Sequence, residues 1–125
     1  MIRFLLDTDC SIYAMLGIYP KLRLRLAECN VGEVAISAIS FAEIIIGENL
    51  GHPPDRDVIE DFVSVVQIIP FDEAAARAYA NLPFKRARFD RLLAAHALSI
   101  GATVITNNEA DFADVPELKV ENWTV

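Results

Sequence analysis

The sequence is short of basic charge, cysteine and long apolar runs. Eleven Lys and Arg stand against 18 Asp and Glu, a formal net charge of −7. A passive nucleic-acid binder is usually basic, so the balance argues against that class. It leaves open an enzyme that gathers carboxylates around a metal ion, because the cation reverses the local field. The two cysteines, Cys10 and Cys29, make neither a disulfide framework nor a metal-ligand pair. Both are expected to fill the interior of a cytoplasmic protein. No apolar run reaches membrane-spanning length, and the opening MIRFLLDTD turns acidic early. Neither a membrane span nor a signal peptide is therefore expected. Repeats, low-complexity segments and internal linkers are also missing. At 125 residues, 54% hydrophobic and 23% charged, the expectation is a single domain, residues 1–125, with a packed core.

The clearest element present is Arg88–Ile100, RFDRLLAAHALSI. It is apolar nearly all round after its first turn and rich in alanine, so it reads as a buried helix. Gly101 should cap its end. Ile2–Leu6 reads as a buried first strand ending at Asp7, and Ser11–Leu16 as a helix stopped near Gly17 and Pro20. Lys21–Glu28 is read as helix with Pro20 at its start. Val34–Ile36 is a second strand. Ser40 then caps a helix with Glu43 three residues on, in capping-box spacing. Val58–Val66 is an amphipathic helix, Gln67–Ile69 a strand and Asp72–Leu82 a helix capped by Asp72. Ala102–Thr106 and Leu118–Val120 complete the strands, with a turn or short helix at Asn107–Phe112 and Trp123 anchoring the tail. Alternating strands and helices predict an α/β domain with a mainly parallel sheet.

In such sheets ligands bind beyond the carboxyl ends of the strands. Asp7, with Thr8 and Asp9 beside it, follows the first strand; Glu43 lies in the first turn of the helix after the second. Asp90 opens the central helix, and Asn107, Asn108, Glu109 and Asp111 follow Thr106. One edge of the sheet thus collects acids that are distant in sequence. Packed carboxylates repel unless a cation holds them. Hard oxygen ligands select Mg²⁺ or Mn²⁺, which lower the pKa of a bound water and stabilise charge on a phosphoryl oxygen. That is the chemistry of a phosphodiester-cleaving enzyme. Local structure offers a second account of most of these acids: Glu43 and Asp90 as caps, Asp111 as the start of a one-turn helix. Asp7 has no such account, since an acid ending a buried strand gains nothing from packing. His96 reads as a hydrogen-bonded core histidine, and Asp55, Asp57, Glu60 and Asp61 as a solvated helix start and face. Lys85, Arg86, Arg88 and Arg91 form a basic cluster beside Asp90. It reads equally as a solvated loop or as contacts to an RNA backbone.

Six strings run nearly end to end in one order: LLDT at Leu5–Thr8, ISAISFAEIIIG at Ile36–Gly47, PFDEAAA at Pro70–Ala76, RFDRLLAAHAL at Arg88–Leu98, TNNEADF at Thr106–Phe112 and VPELKVENW at Val115–Trp123. With them the chain resembles the PIN-domain ribonucleases, specifically the VapC-type toxins of type II toxin–antitoxin pairs. The resemblance implies a three-layer α/β/α sandwich and Mg²⁺-dependent endonucleolytic cleavage of RNA. It also implies a VapB-type antitoxin, PIN–PIN homodimers and a toxin–antitoxin hetero-oligomer. The family's three core acids fall on Asp7, Glu43 and Asp90, with Asp7 and Asp90 as the principal metal ligands. Thr106 matches its hydroxyl residue near the site. Many PIN domains carry an aspartate where Asn108 stands; Asp111, one helical turn on, is placed to take over part of that role. Asp9 is a second departure, an extra acid where asparagine is common. Three rivals remain: a haloacid-dehalogenase-type phosphatase using the Asp7-x-Asp9 pair, a phospho-accepting receiver domain, and a catalytically silent PIN binding module. The first two lack a well-placed lysine and further acids, and the intact Asp7, Glu43 and Asp90 argue against the third.

Overall fold

The computed structural model describes residues 1–83 and 89–125. Five short strands form one sheet: β1 (Phe4–Leu6), β2 (Val34–Ser37), β3 (Gln67–Ile69), β4 (Thr103–Ile105) and β5 (Val120–Glu121). Their order is β3-β2-β1-β4-β5. Every pairing is parallel, with Leu5 beside Ala35 on one side and Val104 on the other. An all-parallel sheet must be covered on both faces, and side chains alternate across the pleat. Phe4, Leu6, Val34, Ile36 and Ile105 accordingly join one core cluster, and Leu5, Ala35 and Val104 join another.

The first cluster is closed by α1 (Thr8–Leu16), α2 (Pro20–Glu28), α3 (Ala38–Asn49) and α4 (Arg56–Val63), through Cys10, Leu22, Ile44 and Ile59, with Trp123 edge-on to Phe4 at 4.8 Å. The second is closed by α6 (Phe89–Ile100), through Leu93, Ala94 and Ala97, and α5 (Glu73–Ala80) packs against α6. This is the expected three-layer sandwich. Cys10 is fully buried as expected, whereas Cys29 is only half-buried.

Local chemistry sets the helix ends, and it corrects three expectations. Asp7 is the N-cap of α1, its Oδ1 accepting from the Cys10 amide at 2.8 Å, so α1 begins at Thr8 rather than Ser11. The cap of α3 is Ser37, which accepts from the Ile39 amide at 3.1 Å, not Ser40. Glu43 therefore sits in the second turn and completes no capping box. Helix α4 stops at Val63, before the Val66 that the apolar pattern had included. Pro20 opens α2, Asp72 caps α5 and Gly101 follows α6 with φ +68°, as expected.

Candidate active site

The strand order reverses direction at β1: the chain steps outward to β2 and β3, then returns to β4 on the other side. Open α/β sheets form their ligand crevice at this switch point, beyond the carboxyl ends of the strands. Here a polar cleft of about 100 Å³ is lined by Asp7, Thr8, Asp9, Ser40, Glu43, Phe89, Asp90 and Leu93. Asp7 follows β1 directly, Glu43 projects from α3, and Asp90 from the first turn of α6. The structure thus brings the three core acids to one cleft.

Each acid is held by its surroundings. Asp7 is only 8% exposed. Burial raises its pKa, while hydrogen bonding to Thr106 and Cys10 pulls the other way. The Thr8 hydroxyl donates to Glu43 Oε1 at 2.5 Å, tying α1 to α3 across the cleft. Burial also raises Glu43, against that hydrogen bond, and the charges of Asp9 and Asp7 add to the rise. Asp90 moves furthest, from the ordinary 3.8 to about 6. Burial is the main cause; Asp111 adds to it by charge and hydrogen bonding, and Asp7 and Glu43 by charge. Asp9 lines the cleft from an exposed position.

Asn108 and Asp111, the two residues considered for a fourth acidic position, are hydrogen-bonded to each other. Asn108 donates through Nδ2 to Asp111 Oδ2 at 2.8 Å, and its backbone amide donates to Thr106 Oγ1 at 3.0 Å. Asp111 rides on a 3-10 turn (Glu109–Phe112) and stands close enough to Asp90 to perturb it. Asn108 and Asp111 are thus one hydrogen-bonded unit rather than alternatives.

The basic cluster fares differently. Lys85, Arg86 and Arg88 lie outside the described residues. Arg91 is 4% exposed, with Nη2 bonded to Asp114 Oδ2, and Nη1 is buried without a hydrogen-bond partner among the described residues. A side chain so enclosed is no contact for an RNA phosphate, and that expectation is corrected: the helical position that places Asp90 at the cleft turns the next residue inward. Ser40, 1% exposed and lining the cleft, was legible in sequence only as a cap. His96 is buried as expected, with Nδ1 2.8 Å from Ser37 Oγ.

The donor set fits a hard divalent cation. Among the described residues, no Lys or Arg forms an ion pair with Asp7, Glu43, Asp90 or Asp111. Nor do three or more His, Cys, Asp or Glu side chains there form a group that could by itself hold a metal ion. Mg²⁺ and Mn²⁺ do not need one, since one or two carboxylates and several waters suffice. At roughly 30 Å³ per water, the cleft has room for such a partly hydrated ion.

Known proteins share both sequence and shape with this chain. The family profile described as PIN domain matches residues 4–118. A tRNA(fMet)-specific endonuclease VapC from Shigella flexneri is 33% identical, covering 99% of this chain and 100% of its own. A ribonuclease VapC2 from Rickettsia felis is 31% identical, covering 96% and 97%. Among solved structures, a DNA-bound VapBC from Salmonella typhimurium has a TM-score of 0.86 at 29% identity, covering 98% of this chain and 99% of that one.

Proposed function

Because the chain belongs to the PIN-domain family, in its VapC branch, we propose that it is a metal-dependent endoribonuclease acting as the toxin of a toxin–antitoxin pair. The observation that carries the reading is the convergence of Asp7, Glu43 and Asp90 on one polar cleft. Asp7 and Asp90 would hold the ion, Mg²⁺ with Mn²⁺ as substitute. When bound, such an ion lowers the pKa of its water and offsets charge on a phosphoryl oxygen. Glu43, held through Oε1 by Thr8, offers Oε2 to accept a proton from water entering the cleft. Asp111, steadied by Asn108, supports Asp90. Thr106 orients Asp7, and Asp9 adds charge at the rim.

The same acids suit a basic partner. We assign the chain a VapB-type antitoxin, since the Salmonella typhimurium and Rickettsia felis neighbours are VapBC complexes. An Arg or Lys from that antitoxin would pair with the cleft carboxylates and compete with a weakly held ion. Exposed Leu24 on α2 and Ile46 on α3 supply apolar surface for its body. The single nuclease domain would act in the cytoplasm and pair with a second copy as a homodimer. No described helix is long and apolar enough to cross a membrane. From sequence alone, Lys85, Arg86 and Arg88 remain candidates for RNA phosphates.

Purified protein should cleave RNA with Mg²⁺ or Mn²⁺ and stop with chelator. Expression alone should arrest growth, and the adjacent antitoxin should restore it. Full cleavage in chelator would sink the metal reading. Equal tolerance of the wild type and Asp7→Asn, both soluble and abundant, would sink the toxin reading.

A further inference from the structure

Arg91 is the described residue whose placement the nuclease reading leaves unexplained. It sits on α6 one position after Asp90, almost wholly enclosed. One end of its guanidinium is bonded to Asp114, which lies three residues beyond Asp111. The other end, Nη1, has no hydrogen-bond partner among the described residues. A buried cation with an unmatched donor is poor evidence of stabilisation, because desolvation opposes the ion pair. Such a contact makes better sense as a geometric tie.

The tie spans the two segments that carry Asp90 and Asp111. Asp111 stands on an exposed turn, facing a carboxyl group of like charge. Left to electrostatics, the turn would swing away. Beside the hydrogen bond between the two carboxyl groups, three things oppose that. Phe112 and Val115 sink into the core cluster that contains Leu93, Ala94 and Ala97. Asn108 holds Asp111 from within the segment at 2.8 Å. Arg91 grips Asp114 from the first turn of α6, the turn that bears Asp90. The last is a second polar contact from the segment to the Asp90-bearing turn, beside the hydrogen bond between Asp111 and Asp90 themselves.

We propose that Arg91 is a positioning residue: through Asp114 it holds the 3-10 turn so that Asp111 stays against Asp90. The proposal rests on the nuclease reading, in which Asp111 belongs to the site. Arg91 touches neither substrate nor metal and acts only through that turn. Partners that orient metal-binding carboxylates typically change metal affinity by about 10–100-fold when removed, and loss of the tie should fall at the low end.

The test is a double-mutant cycle read by Mn²⁺ binding in calorimetry and, separately, by RNA cleavage. Arg91→Met keeps an unbranched buried side chain and removes the charge. Asp114→Asn removes the other partner from a partly exposed position, so it reports even where Arg91→Met does not fold. Each should weaken Mn²⁺ binding about tenfold, and Arg91→Lys should recover part of that loss. In metal-free protein, amide exchange should quicken at 109–112 and not in the strands. In an Arg91→Met or Asp114→Asn background, Asp111→Asn should add less than about twofold, because residues acting through one contact do not add. Effects that multiply in full would overturn the proposal and leave Arg91 a packing residue. A silent Asp111→Asn would overturn it too, while loss of cleavage in Asp90→Asn would show the nuclease reading still standing.

Discussion

At the amino ends of β1 and β2, Arg3 reaches Glu33 at 3.1 Å, and the Asn30 amide donates to the same carboxylate at 2.7 Å. Glu33 is held below its ordinary pKa by the Asn30 amide first and Arg3 second. At the carboxyl ends of the same sheet, Asp7, Glu43 and Asp90 are all raised, chiefly by burial and then by one another or by neighbouring acids. The residue type is nearly the same at both ends. What differs is that one end pairs its carboxylate with a cation at the surface, and the other encloses several carboxylates with hydrogen-bond donors but no described cation among them. The fold tolerates the second arrangement at a cost in stability, and a bound cation would relieve that cost.

The comparison breaks most visibly if an acid of the cleft is neutralised. Asp90→Asn should lower RNA cleavage by roughly 10²–10³-fold, the scale for losing one group that stabilises developing charge. Its metal-free thermal stability should hold or rise, by about 1 kcal/mol once solvent screening of a half-exposed group is allowed for. Calorimetric unfolding in chelator measures this. A variant both inactive and clearly destabilised would show that Asp90 is needed by the fold itself.

Saturating metal should have the next largest effect. Ion at about 100 times its dissociation constant stabilises the native state by about 2.7 kcal/mol. The pH dependence sharpens the point. Asp90 has its pKa raised in the folded state, so its contribution to stability is full below about 3.8 and is lost as pH rises through about 6. Asp7 and Glu43 act in the same direction. His96 acts oppositely: burial lowers its pKa, so its contribution is full above 6.5 and fades as pH falls through its lower folded value. The difference between wild type and Asp90→Asn isolates the carboxyl part. In chelator that difference should grow from pH 4 to 6.5, and Mn²⁺ should shrink or reverse it. A pH-independent difference would contradict the crowding of charge around Asp90.

Much of this was legible in the residues. Apolar runs set β1, β2 and β4, and the alanine-rich pattern of α6 gave a buried helix, because a periodic hydrophobic signal is local. The collection of acids at one edge followed from parallel topology alone. What escaped were the particular hydrogen bonds and ion pairs whose partners are far away in sequence. Arg91 looked like part of a surface cluster, since its partner Asp114 is 23 residues on. The hydroxyl of Ser37, the last residue of β2, lies 2.8 Å from His96 Nδ1, 59 residues away, and it is the cap that was expected at Ser40. Asp7 was the opposite failure. Its capping role is local, and it was missed because the helix signal was read as starting at Ser11.

That double role of Asp7 yields a smaller and separable effect. Asn caps a helix about as well as Asp, whereas replacing a cap by Ala costs about 1 kcal/mol. Asp7→Asn should lose cleavage and keep stability; Asp7→Ala should lose both. Equal unfolding midpoints for the two in chelator would deny the cap through Oδ1 that the Cys10 amide describes.

The smallest effect belongs to the other end of the sheet. Glu33→Gln keeps an oxygen for the Asn30 amide and removes the charge that Arg3 meets. The pair lies at the surface, with the Arg3 side chain exposed, so the loss should sit near the limit of measurement, and added salt should erase it. Its pH course should run against that of the cleft. With a folded pKa below the ordinary 4.5, Glu33 contributes above 4.5, and the contribution is lost as pH falls through the lower folded value. Wild type and Glu33→Gln should therefore converge in acid, where wild type and Asp90→Asn also converge, and both pairs should separate toward neutrality with opposite sign. RNA cleavage by Glu33→Gln should match wild type, since the residue stands at the far end of the strands from Asp7. Reduced cleavage at unchanged stability would mean that the two ends of the sheet are coupled through β1, and that the acids of the cleft are not set by their own surroundings alone.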